Sequence, residues 1–378
     1  MLAILGAYVI LVNVAFAVHS LTIARRSRAH LEEIEIDGNF PSLSIVVPAR
    51  DEERQIEACV RSLLAQEYPN FEVIVVDDCS QDGTRAILDR IALEDERLIV
   101  VGGEPLPQRW VGKPWALEQG MRVARGEWLL STDADTEHEP LAAGSALVYA
   151  VKHRLDALSL LTDQTMVGPA ERLVLPSILW IIALAVGGLD DVSDPRKPDA
   201  ALFNGQFVLM TRDAYEAIGG YAALRGEVAE DLELARLLKA DGRFSIALVG
   251  AQGLVRTRMY RSFREVWNGF VKNFALGARG RAGTTALGLL FLASLSPLSA
   301  IAFCLFAAGG RAGLALAVGF AMLAASLAAE YGMVRARFPH GSGWTIPVGV
   351  AVLFAIFATS LVRYASGVGV EWRGRRYT

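Results

Sequence analysis

The sequence contains little cysteine and no excess of positive charge. Its three cysteines, Cys59, Cys79 and Cys304, are far apart and form neither a zinc-binding nor a redox spacing, which indicates a reducing compartment. The chain carries 37 basic and 41 acidic residues, for a net charge of -4. It therefore lacks the electrostatic footprint of a nucleic-acid-binding protein, and we expect no nucleic-acid partner.

Apolar residues, in contrast, are abundant. They make up 53% of the 378 residues, and the mean hydropathy of +0.34 exceeds that of a typical soluble domain. Residues 2–24 form a nearly uninterrupted apolar run, followed by Arg25, Arg26 and Arg28. A cleaved signal peptide would place its charge first. We predict an uncleaved transmembrane anchor over residues 1–24, with its carboxyl end in the cytoplasm, and a linker over residues 25–40.

Three more apolar stretches lie near the carboxyl terminus, at residues 287–308, 314–334 and 346–361. If all three stretches span the membrane, the positive-inside rule is satisfied before the last stretch but violated by the carboxyl-terminal tail. Either one stretch is therefore re-entrant, or the tail is an exception to the rule. Residues 294–297 contain a proline and are the predicted breaking point. We predict a membrane region over residues 284–368 and a basic tail over residues 369–378.

Two internal segments also have patterns that relate to a membrane. Between residues 256 and 281 there are seven basic residues and one acid, with aromatic residues at helical spacing. This pattern predicts a basic amphipathic helix within residues 254–283 that lies in the headgroup plane, or alternatively an ordinary core helix. Residues 173–189 are strongly apolar but short for a span and contain Pro176, so they form either a buried or an interfacial helix.

Short apolar strands alternate with amphipathic helices over residues 41–253, as in an open α/β domain. Strands are predicted at residues 43–47, 71–76, 98–101, 128–132 and 157–161, and later at 207–210. Helices are predicted at residues 54–65, 84–93, 114–124 and 141–153, and later at 212–218 and 230–240. This order predicts a mostly parallel sheet, whose ligands bind beyond the carboxyl ends of the strands.

Acidic residues stand at the carboxyl ends of three predicted strands. Asp51 follows the first strand, Asp78 follows the second, and Asp133 and Asp135 follow the fourth. In an extended segment the side chains of Asp133 and Asp135 would point the same way. Two such carboxylates suit Mg²⁺ or Mn²⁺, which would hold the phosphates of a nucleotide. A solvated turn after a strand is the alternative for any one of these positions, but three positions at one edge favour a shared polar cleft.

Six motifs connect these features. They are SIVVPARDEE (44–53), VIVVDDCSQDGT (73–84), GKPWALEQG (112–120), STDAD (131–135), NGQFVLMTRDAYEAIGGY (204–221) and EDLEL (230–234). In this order the motifs resemble those of membrane-bound family 2 glycosyltransferases. Within that family the chain looks most like the hopanoid-associated glycosyltransferases, which also have an amino-terminal anchor and an apolar carboxyl-terminal end.

The resemblance implies a GT-A fold, a Rossmann-like α/β catalytic domain with a mostly parallel sheet, together with transmembrane helices at both ends of the chain. It implies a UDP- or GDP-linked sugar donor, inversion at the anomeric carbon, and Mg²⁺ or Mn²⁺ as cofactor. It further implies a lipid acceptor and an integral protein of the bacterial inner membrane whose catalytic domain faces the cytoplasm.

The resemblance also assigns donor-side roles. It places Pro48, Ala49, Asp51 and Asp78 in the nucleoside pocket, where an acid accepts an N–H of the base. It places Lys113 at the donor phosphates, where a flexible point charge suffices. Asp135 is the predicted metal ligand, and Asp133 faces the ribose or the metal.

On the acceptor side, the resemblance identifies Asp231, beside Glu230, as the catalytic base. A helix amino terminus stabilises a carboxylate and weakens it as a base, so this role requires burial or the neighbouring Glu230 to offset that effect. An ordinary acid in the first turn of a helix is the alternative. Asn204, Gly205 and Gln206 are assigned to the acceptor side.

One departure from the family pattern narrows the expected function. Processive polysaccharide synthases of the family carry a Q-x-x-R-W motif near the membrane, whereas the corresponding stretch here is SFREVW (262–267). This argues against processive synthesis. Because an ionised acceptor needs no strong base, the Glu230 and Asp231 pair favours a hydroxyl group, on a hopanoid-like or other lipid. The alternatives are a polyprenyl-phosphate acceptor and a non-catalytic membrane scaffold with a nucleotide-binding fold.

Overall fold

The structure is a computed structural model that describes residues 2–27, 29–34, 41–251, 253–277, 282–338, 345–366, 370–372 and 375–377. The chain divides into two compact units. Unit 1 comprises Met1–Arg28, Met166–Gly188 and Tyr260–Thr378, and unit 2 comprises Ala29–Thr165 and Leu189–Met259. Residues 166–188, which lie inside the segment 41–253 predicted as the catalytic domain, thus group with unit 1. Of the predicted linker, residues 28 and 35–40 lie outside the described residues.

The strands and helices are numbered in chain order. The strands are β1 (Leu43–Ala49), β2 (Phe71–Asp77), β3 (Leu98–Gly102), β4 (Trp128–Thr132), β5 (Thr136–His138), β6 (Ala157–Leu161), β7 (Asp163–Gln164), β8 (Phe207–Thr211), β9 (Ile246–Gly250), β10 (Val255–Thr257), β11 (Val370–Trp372) and β12 (Arg375–Tyr377). The helices are α1 (Leu2–Ala24), α2 (Ile56–Leu64), α3 (Thr84–Ala92), α4 (Gly112–Val123), α5 (Ala142–Lys152), α6 (Pro169–Val186), α7 (Leu189–Ser193), α8 (Arg212–Ala217), α9 (Glu230–Asp241), α10 (Phe263–Gly277), α11 (Ala282–Leu295), α12 (Pro297–Ala308), α13 (Ala312–Arg335) and α14 (Ile346–Ala365).

Seven strands form the main sheet of unit 2, in the order β3-β2-β1-β4-β8-β6-β9. β1 pairs in parallel with β2 and β4, and β2 pairs in parallel with β3, which confirms the predicted parallel sheet. β8 is the exception, because it runs antiparallel to both β4 and β6. Its first residue, Phe207, therefore pairs with Thr132, the last residue of β4. The loop before β8 lies at the same edge of the sheet as the carboxyl ends of the parallel strands.

The central strands are buried, as expected for strands covered on both faces. Every residue of β4 is buried, and so is every residue of β1 except Pro48. All six predicted strands are present, with ends extended by at most two residues. β9 and the small sheet of β5, β10 and β7 were not predicted; three of these strands have only two or three residues, which is too short for a periodicity.

The start of helix α4 differs from the prediction in a way that matters for the site. We expected this helix to begin at Pro114, but it begins at Gly112, after Val111 in an extended conformation. Proline is tolerated throughout the first helical turn, so it does not mark the first residue uniquely. Lys113 therefore belongs to the first turn of α4 and not to a preceding loop.

Unit 1 consists mainly of long apolar helices. By length and composition, five segments of the described residues are able to cross a membrane: Leu2–Ala24, Pro169–Ser193, Thr285–Ala308, Ala312–Arg335 and Ile346–Arg363. The third contains α11 and α12, which separate at Ser296, as predicted for residues 294–297. The segment predicted at residues 173–189 is longer than expected, because α6 begins at Pro169 and continues through Pro176.

Helix α10 is the helix predicted within residues 254–283. Val266, Phe270 and Val271 are buried, and Phe270 packs on Tyr260 with ring centroids 5.5 Å apart. Phe263, in contrast, is 46% exposed. One face of α10 thus packs as a core helix does, and its placement at a membrane surface stays a prediction.

Gly332 on α13 marks a close approach between helices of unit 1. A Cβ at this position would lie 2.5 Å from Cζ2 of Trp180 on α6 and 3.1 Å from the backbone oxygen of Ser20 on α1. We expect Gly332→Ala to lower the free energy of unfolding by about 1–3 kcal/mol, because the added methyl group overpacks this contact. Gly313→Ala, on the same helix with nothing within 4 Å of the new Cβ, is the matched control. Thermal unfolding in detergent tests this, and equal midpoints for the two variants would contradict it.

Candidate active site

Polar residues from distant parts of unit 2 meet at the carboxyl edge of the main sheet. Asp78 follows β2, Asp133 follows β4, and Gly205 lies in the loop that precedes the antiparallel strand β8. Lys113 lies in the first turn of α4, and Asp231 lies in the first turn of α9. Residues from two helices thus lie at the same sheet edge as the acids at strand ends, where the sequence predicts a shared polar cleft.

One ammonium group stands among three carboxylates in this cleft. The Nζ atom of Lys113 lies 2.7 Å from Oδ1 of Asp133 and 2.7 Å from Oε1 of Glu230. Asp231 is close enough to interact electrostatically with the same ammonium. We call these four residues the Lys113 cluster. It joins the predicted donor-side residues, Lys113 and Asp133, to the predicted catalytic pair, Glu230 and Asp231.

Burial and charge act in opposite directions on this cluster. Burial lowers the pKa of Lys113, but the carboxylates of Asp133, Glu230 and Asp231 together hold that pKa well above its ordinary value. Burial likewise raises the pKa of Glu230, although the Lys113 ammonium opposes the shift. Lys113 is therefore a fixed positive charge at neutral pH, and Glu230 binds a proton more readily than an exposed carboxylate does.

The carboxylate of Asp231 is held by backbone groups on both of its oxygens. Oδ2 accepts the N–H of Gly205 at 2.8 Å, and Oδ1 accepts the N–H of Leu232 at 2.8 Å. The first bond crosses from the loop before β8 to helix α9, so it fixes the orientation of Asp231 relative to that loop. These contacts connect Asp231 with Gly205, which we predicted to lie on the acceptor side.

The predicted nucleoside-binding residues lie together at the ends of β1 and β2. Pro48 and Ala49 belong to β1, where Ala49 pairs with Asp77, and the N–H of Asp78 donates to the oxygen of Ala49 at 2.8 Å. Asp78 is only 4% exposed. Its carboxylate is therefore a fixed acceptor of the kind that an N–H of a nucleobase requires.

Two neighbouring residues fix the loops around Asp78. Arg50, which the sequence did not single out, donates from Nη1 to the backbone oxygen of Asp78 at 2.7 Å. Asp51 adopts a φ of 54°, a left-handed conformation that is uncommon for a residue with a side chain. Its carboxylate accepts the N–H of Gln81 at 2.8 Å, which ties the loop after β1 to the loop after β2. Asp51 thus links the two loops on either side of the predicted nucleoside-binding residues.

The segment that contains Asp133 and Asp135 is a turn and not the extended segment that we predicted. β4 ends at Thr132, and the turn is closed by the N–H and the hydroxyl group of Thr136, which donate to the oxygen of Asp133 at 3.3 and 2.7 Å. The alternation of side chains along a strand therefore does not apply here. The reason is local: Thr136 has both a backbone and a side-chain donor within reach of the same oxygen. We call residues 133–135 the acidic turn.

A divalent cation fits the acidic turn by the chemistry of its ligands. Asp133 and Asp135 are half-buried carboxylates, the oxygen ligands that Mg²⁺ and Mn²⁺ prefer. Within the described ranges no group of three or more His, Cys, Asp or Glu side chains is arranged to hold a metal ion. A cation that also binds donor phosphates requires only one or two protein carboxylates, a number that the acidic turn offers.

The side chains of Asn204 and Gln206 fix the loop before β8 from within. Asn204 donates from Nδ2 to the oxygen of Leu160 at 2.9 Å, and Oε1 of Gln206 accepts bonds from Thr162 and from Gln164. Gln206 is 3% exposed. Oε1 of Gln206 is therefore engaged within the protein, whereas its buried Nε2 has no hydrogen-bond partner among the described residues.

Some polar residues of the site gave no recognisable signal in the sequence. The hydroxyl group of Tyr221 donates to Oγ of Ser131 at 3.1 Å, and burial raises the pKa of Tyr221. Thr132, Thr136 and His138 are buried beneath the acidic turn. The only available signal was the presence of polar residues where an apolar strand ends, and a single sequence does not distinguish such residues from an ordinary turn.

Gly205 leaves little room for a side chain. A Cβ there would lie 2.9 Å from Nζ of Lys113 and 3.1 Å from Oδ2 of Asp231. The added methyl group would displace the side chain of Lys113 or Asp231. We expect Gly205→Ala to reduce kcat/KM by about 10-fold, because this displacement weakens the alignment of catalytic groups. Steady-state kinetics test this expectation, with Gly313→Ala as the control substitution in open space. Unchanged kinetics would show that Lys113 and Asp231 tolerate the shift.

Comparison with known proteins identifies the family of the central segment. Residues 44–182 match the family model described as Glycosyl transferase family 2. This segment contains five of the seven strands of the main sheet together with Lys113 and the acidic turn, whereas Asp231 lies beyond it. A family 2 glycosyltransferase domain is thus confirmed over residues 44–182, and its predicted extension to residue 253 stays a prediction.

Two curated relatives are named for glycosyl transfer. The chain is 25% identical over 240 residues to a 4,4'-diaponeurosporenoate glycosyltransferase of Staphylococcus haemolyticus, covering 63% of this chain and 62% of the relative. It is 33% identical over 132 residues to a beta-monoglucosyldiacylglycerol synthase of Trichormus variabilis, covering 34% of this chain and 28% of the relative. The chain thus spans less than two thirds of the length of these two relatives.

A solved structure shares the fold. A mannosyltransferase from Pyrobaculum calidifontis in complex with GDP-Man and Mn²⁺ aligns with a TM-score of 0.54 at 21% identity, covering 96% of this chain and 99% of the neighbour. With the family match and the mostly parallel sheet, this similarity confirms the predicted GT-A fold for the chain.

Proposed function

We propose that this chain, which contains a family 2 glycosyltransferase domain, transfers one sugar with inversion from a nucleotide-diphosphate sugar to a hydroxyl group of a membrane lipid. The observation that carries the proposal is the Lys113 cluster, in which one ammonium contacts Asp133 and Glu230 at 2.7 Å each. A fixed cation for the donor diphosphate and a carboxylate for the acceptor hydroxyl thus lie at the same edge of one sheet. Transfer between a donor and an acceptor requires this arrangement.

The donor half of the site fits a nucleotide-diphosphate sugar. The buried carboxylate of Asp78 would accept an N–H of the base, and the ammonium of Lys113 would contact the diphosphate. A divalent cation, Mg²⁺ or Mn²⁺, held by Asp135 and Asp133, would neutralise charge on the leaving diphosphate. The relative from Pyrobaculum calidifontis is described with GDP-Man and Mn²⁺, which supports a donor and a cofactor of this kind.

The acceptor half supplies the group that takes up the proton. In a single displacement, the acceptor oxygen forms a bond to the anomeric carbon while the bond from that carbon to the diphosphate oxygen breaks. The hydroxyl proton passes to a carboxylate oxygen of Asp231. Gly205 and Leu232 hold that carboxylate in place, and Glu230 beside it holds Lys113. Attack from the face opposite the leaving group inverts the anomeric carbon.

A membrane lipid is the acceptor that the rest of the chain favours. Unit 1 contains helices long and apolar enough to cross a membrane, and one curated relative is named for the synthesis of a glucosyldiacylglycerol. We therefore propose a hopanoid-like or other lipid with a free hydroxyl group as acceptor. We further propose a bacterial inner-membrane location with the catalytic unit on the cytoplasmic side, where nucleotide sugars are made.

The test uses the purified full chain in detergent with Mg²⁺ or Mn²⁺ and a panel of UDP- and GDP-sugars. A hopanoid alcohol, a diacylglycerol and a polyprenyl phosphate are offered separately as acceptors. We expect one hydroxyl lipid to gain the mass of one hexose or aminosugar. Transfer only to the polyprenyl phosphate would contradict the hydroxyl acceptor. If no donor sugar is transferred and no donor is hydrolysed, the enzyme is rejected in favour of a non-catalytic membrane scaffold.

Asp135→Ala provides the matched negative variant for this assay. We expect it to abolish transfer, because it removes a predicted metal ligand. Asp241→Ala is the control, since Asp241 lies at the far end of α9 and pairs with Arg243 at the surface. Equal activity of Asp135→Ala and the wild type would show that Asp135 is not required for donor use.

A further inference from the structure

A buried polar cluster lies directly beneath the acidic turn. Nε2 of His138 on β5 lies 2.9 Å from Oγ1 of Thr136 and 3.1 Å from Oγ1 of Thr132. His138, Thr136 and Thr132 are 5%, 0% and 1% exposed, so all three side chains are buried. The two hydroxyl oxygens lie 3.0 Å apart. This arrangement brings together three polar groups, and their hydrogens can be counted.

Both threonine hydrogens are already in use. The hydroxyl group of Thr136 donates to the backbone oxygen of Asp133 at 2.7 Å, and the hydroxyl group of Thr132 donates to the backbone oxygen of Gln206 at 2.7 Å. Each hydroxyl group has one hydrogen, so neither is left to bind the imidazole. The imidazole must therefore be the donor, through an Nε2–H shared between the two threonine oxygens. The neighbouring thiol of Cys59 donates to the backbone oxygen of Asp133 at 3.6 Å and does not replace this hydrogen.

The remaining nitrogen of His138 agrees with this assignment. Burial lowers the pKa of His138 to about 3, so the ring is neutral and carries a single N–H. Nδ1 is a buried atom with no hydrogen-bond partner among the described residues. A bare nitrogen tolerates this position better than an N–H would, because an unpaired buried donor is costly.

The two threonines bind backbone oxygens in opposite halves of the proposed active site. Thr136 holds the backbone of Asp133, whose carboxylate contacts Lys113 on the donor side. Thr132 holds the backbone of Gln206, which follows Gly205, the residue that orients Asp231. We infer that His138 is a positioning residue, whose single Nε2–H fixes the acidic turn and the loop of residues 204–206 at a set separation. Naming these halves donor and acceptor rests on the proposed function.

Four variants test the coupling in the full chain. We expect Thr136→Val to raise the KM for the nucleotide sugar by about 10-fold and Thr132→Val to raise the KM for the lipid by about 10-fold. Each change removes a hydroxyl group that holds one backbone oxygen and accepts the imidazole N–H. His138→Phe should raise both KM values and also lower kcat. His138→Gln, which again offers an N–H near the position of Nε2, should recover most of the activity.

A purely structural role would give a different pattern. Leu88→Ala, a buried change on α3 outside the site, controls for general destabilisation: it should lower the thermal midpoint without raising either KM. If His138→Phe behaves like Leu88→Ala once activity is scaled to folded protein, or if it raises only one KM, the coupling is rejected. Failure of His138→Gln to recover activity would also count against it.

The tautomer of His138 tests the inference independently of any activity. The chain has five histidines, so a sample labelled with ¹⁵N at histidine gives few signals, and the His138 signal is the one lost in His138→Gln. We expect a neutral ring with its hydrogen on Nε2 at pH 7. A hydrogen on Nδ1, or a doubly protonated ring, would overturn the inference whether or not the protein transfers sugar. Absence of transfer by the wild type would count against the proposed function alone.

Discussion

Asp231→Asn is expected to lower kcat by about 10²–10⁴-fold, because general-base catalysis contributes a factor of that size. The change leaves the donor half of the site intact, so the KM for the nucleotide sugar should stay nearly constant. The two carboxylate oxygens accept the backbone N–H groups of Gly205 and Leu232. Asp231→Asn replaces one of these oxygens with an amide NH₂, which cannot accept a hydrogen bond. The thermal midpoint is therefore measured alongside the kinetics, and kcat is compared at equal folded protein.

Glu233→Gln is the matched control for this variant. Glu233 lies in the same first turn of α9, and its carboxylate pairs with Arg236 and not with the Lys113 cluster. Glu233→Gln removes the same charge from the same helix end as Asp231→Asn does. Because it leaves the Lys113 cluster unchanged, its kcat should stay close to that of the wild type. If Asp231→Asn keeps full activity, the acceptor needs no base, which is the behaviour expected of a lipid phosphate. Equal losses in both variants would point to the charge of the helix end as the cause.

The main sheet could be predicted largely from the sequence because its strands are buried. Parallel strands covered on both faces read as continuous apolar runs, and β1, β2 and β4 are such runs. The direction of β8 could not be predicted, because an apolar pattern has the same appearance in a parallel and an antiparallel strand. That direction decides where residues 204–206 lie, so the sequence placed the loop at the site only through the family resemblance.

The site was predictable where it depends on strand ends and not where it depends on local turns. Asp78 and Asp133 follow parallel strands, so their meeting at one edge follows from topology. The acidic turn was wrongly predicted as extended, because Thr136 closes it with two hydrogen bonds to one oxygen. The role of Arg50 depends on a backbone oxygen, and that of His138 on two threonine hydroxyl groups, that their side chains reach only in the folded chain. No spacing in the sequence encodes these contacts.

The contact between Lys113 and Glu230 could not be predicted either, since the two residues come from separate helices. It has a large consequence. Removing the ammonium leaves the buried carboxylate of Glu230, whose side chain is 6% exposed, beside Asp133 and Asp231 with no compensating charge in the cluster. We expect Lys113→Met to lower the free energy of unfolding by about 1–3 kcal/mol, less than for a fully buried pair because the lysine side chain is itself partly exposed.

The same variant should lower kcat/KM by about 10²-fold or more, because a charge-assisted contact to the donor diphosphate is lost. Stability and activity can be separated by adding Glu230→Gln, which removes the carboxylate that Lys113→Met leaves unpaired. The double variant should recover most of the lost stability while its kcat/KM stays low. Lys113→Arg keeps the charge and should retain the stability better than Lys113→Met does. If the double variant is no more stable than Lys113→Met alone, Glu230 does not depend on Lys113 for its charge balance, and the ammonium does not hold this cleft together.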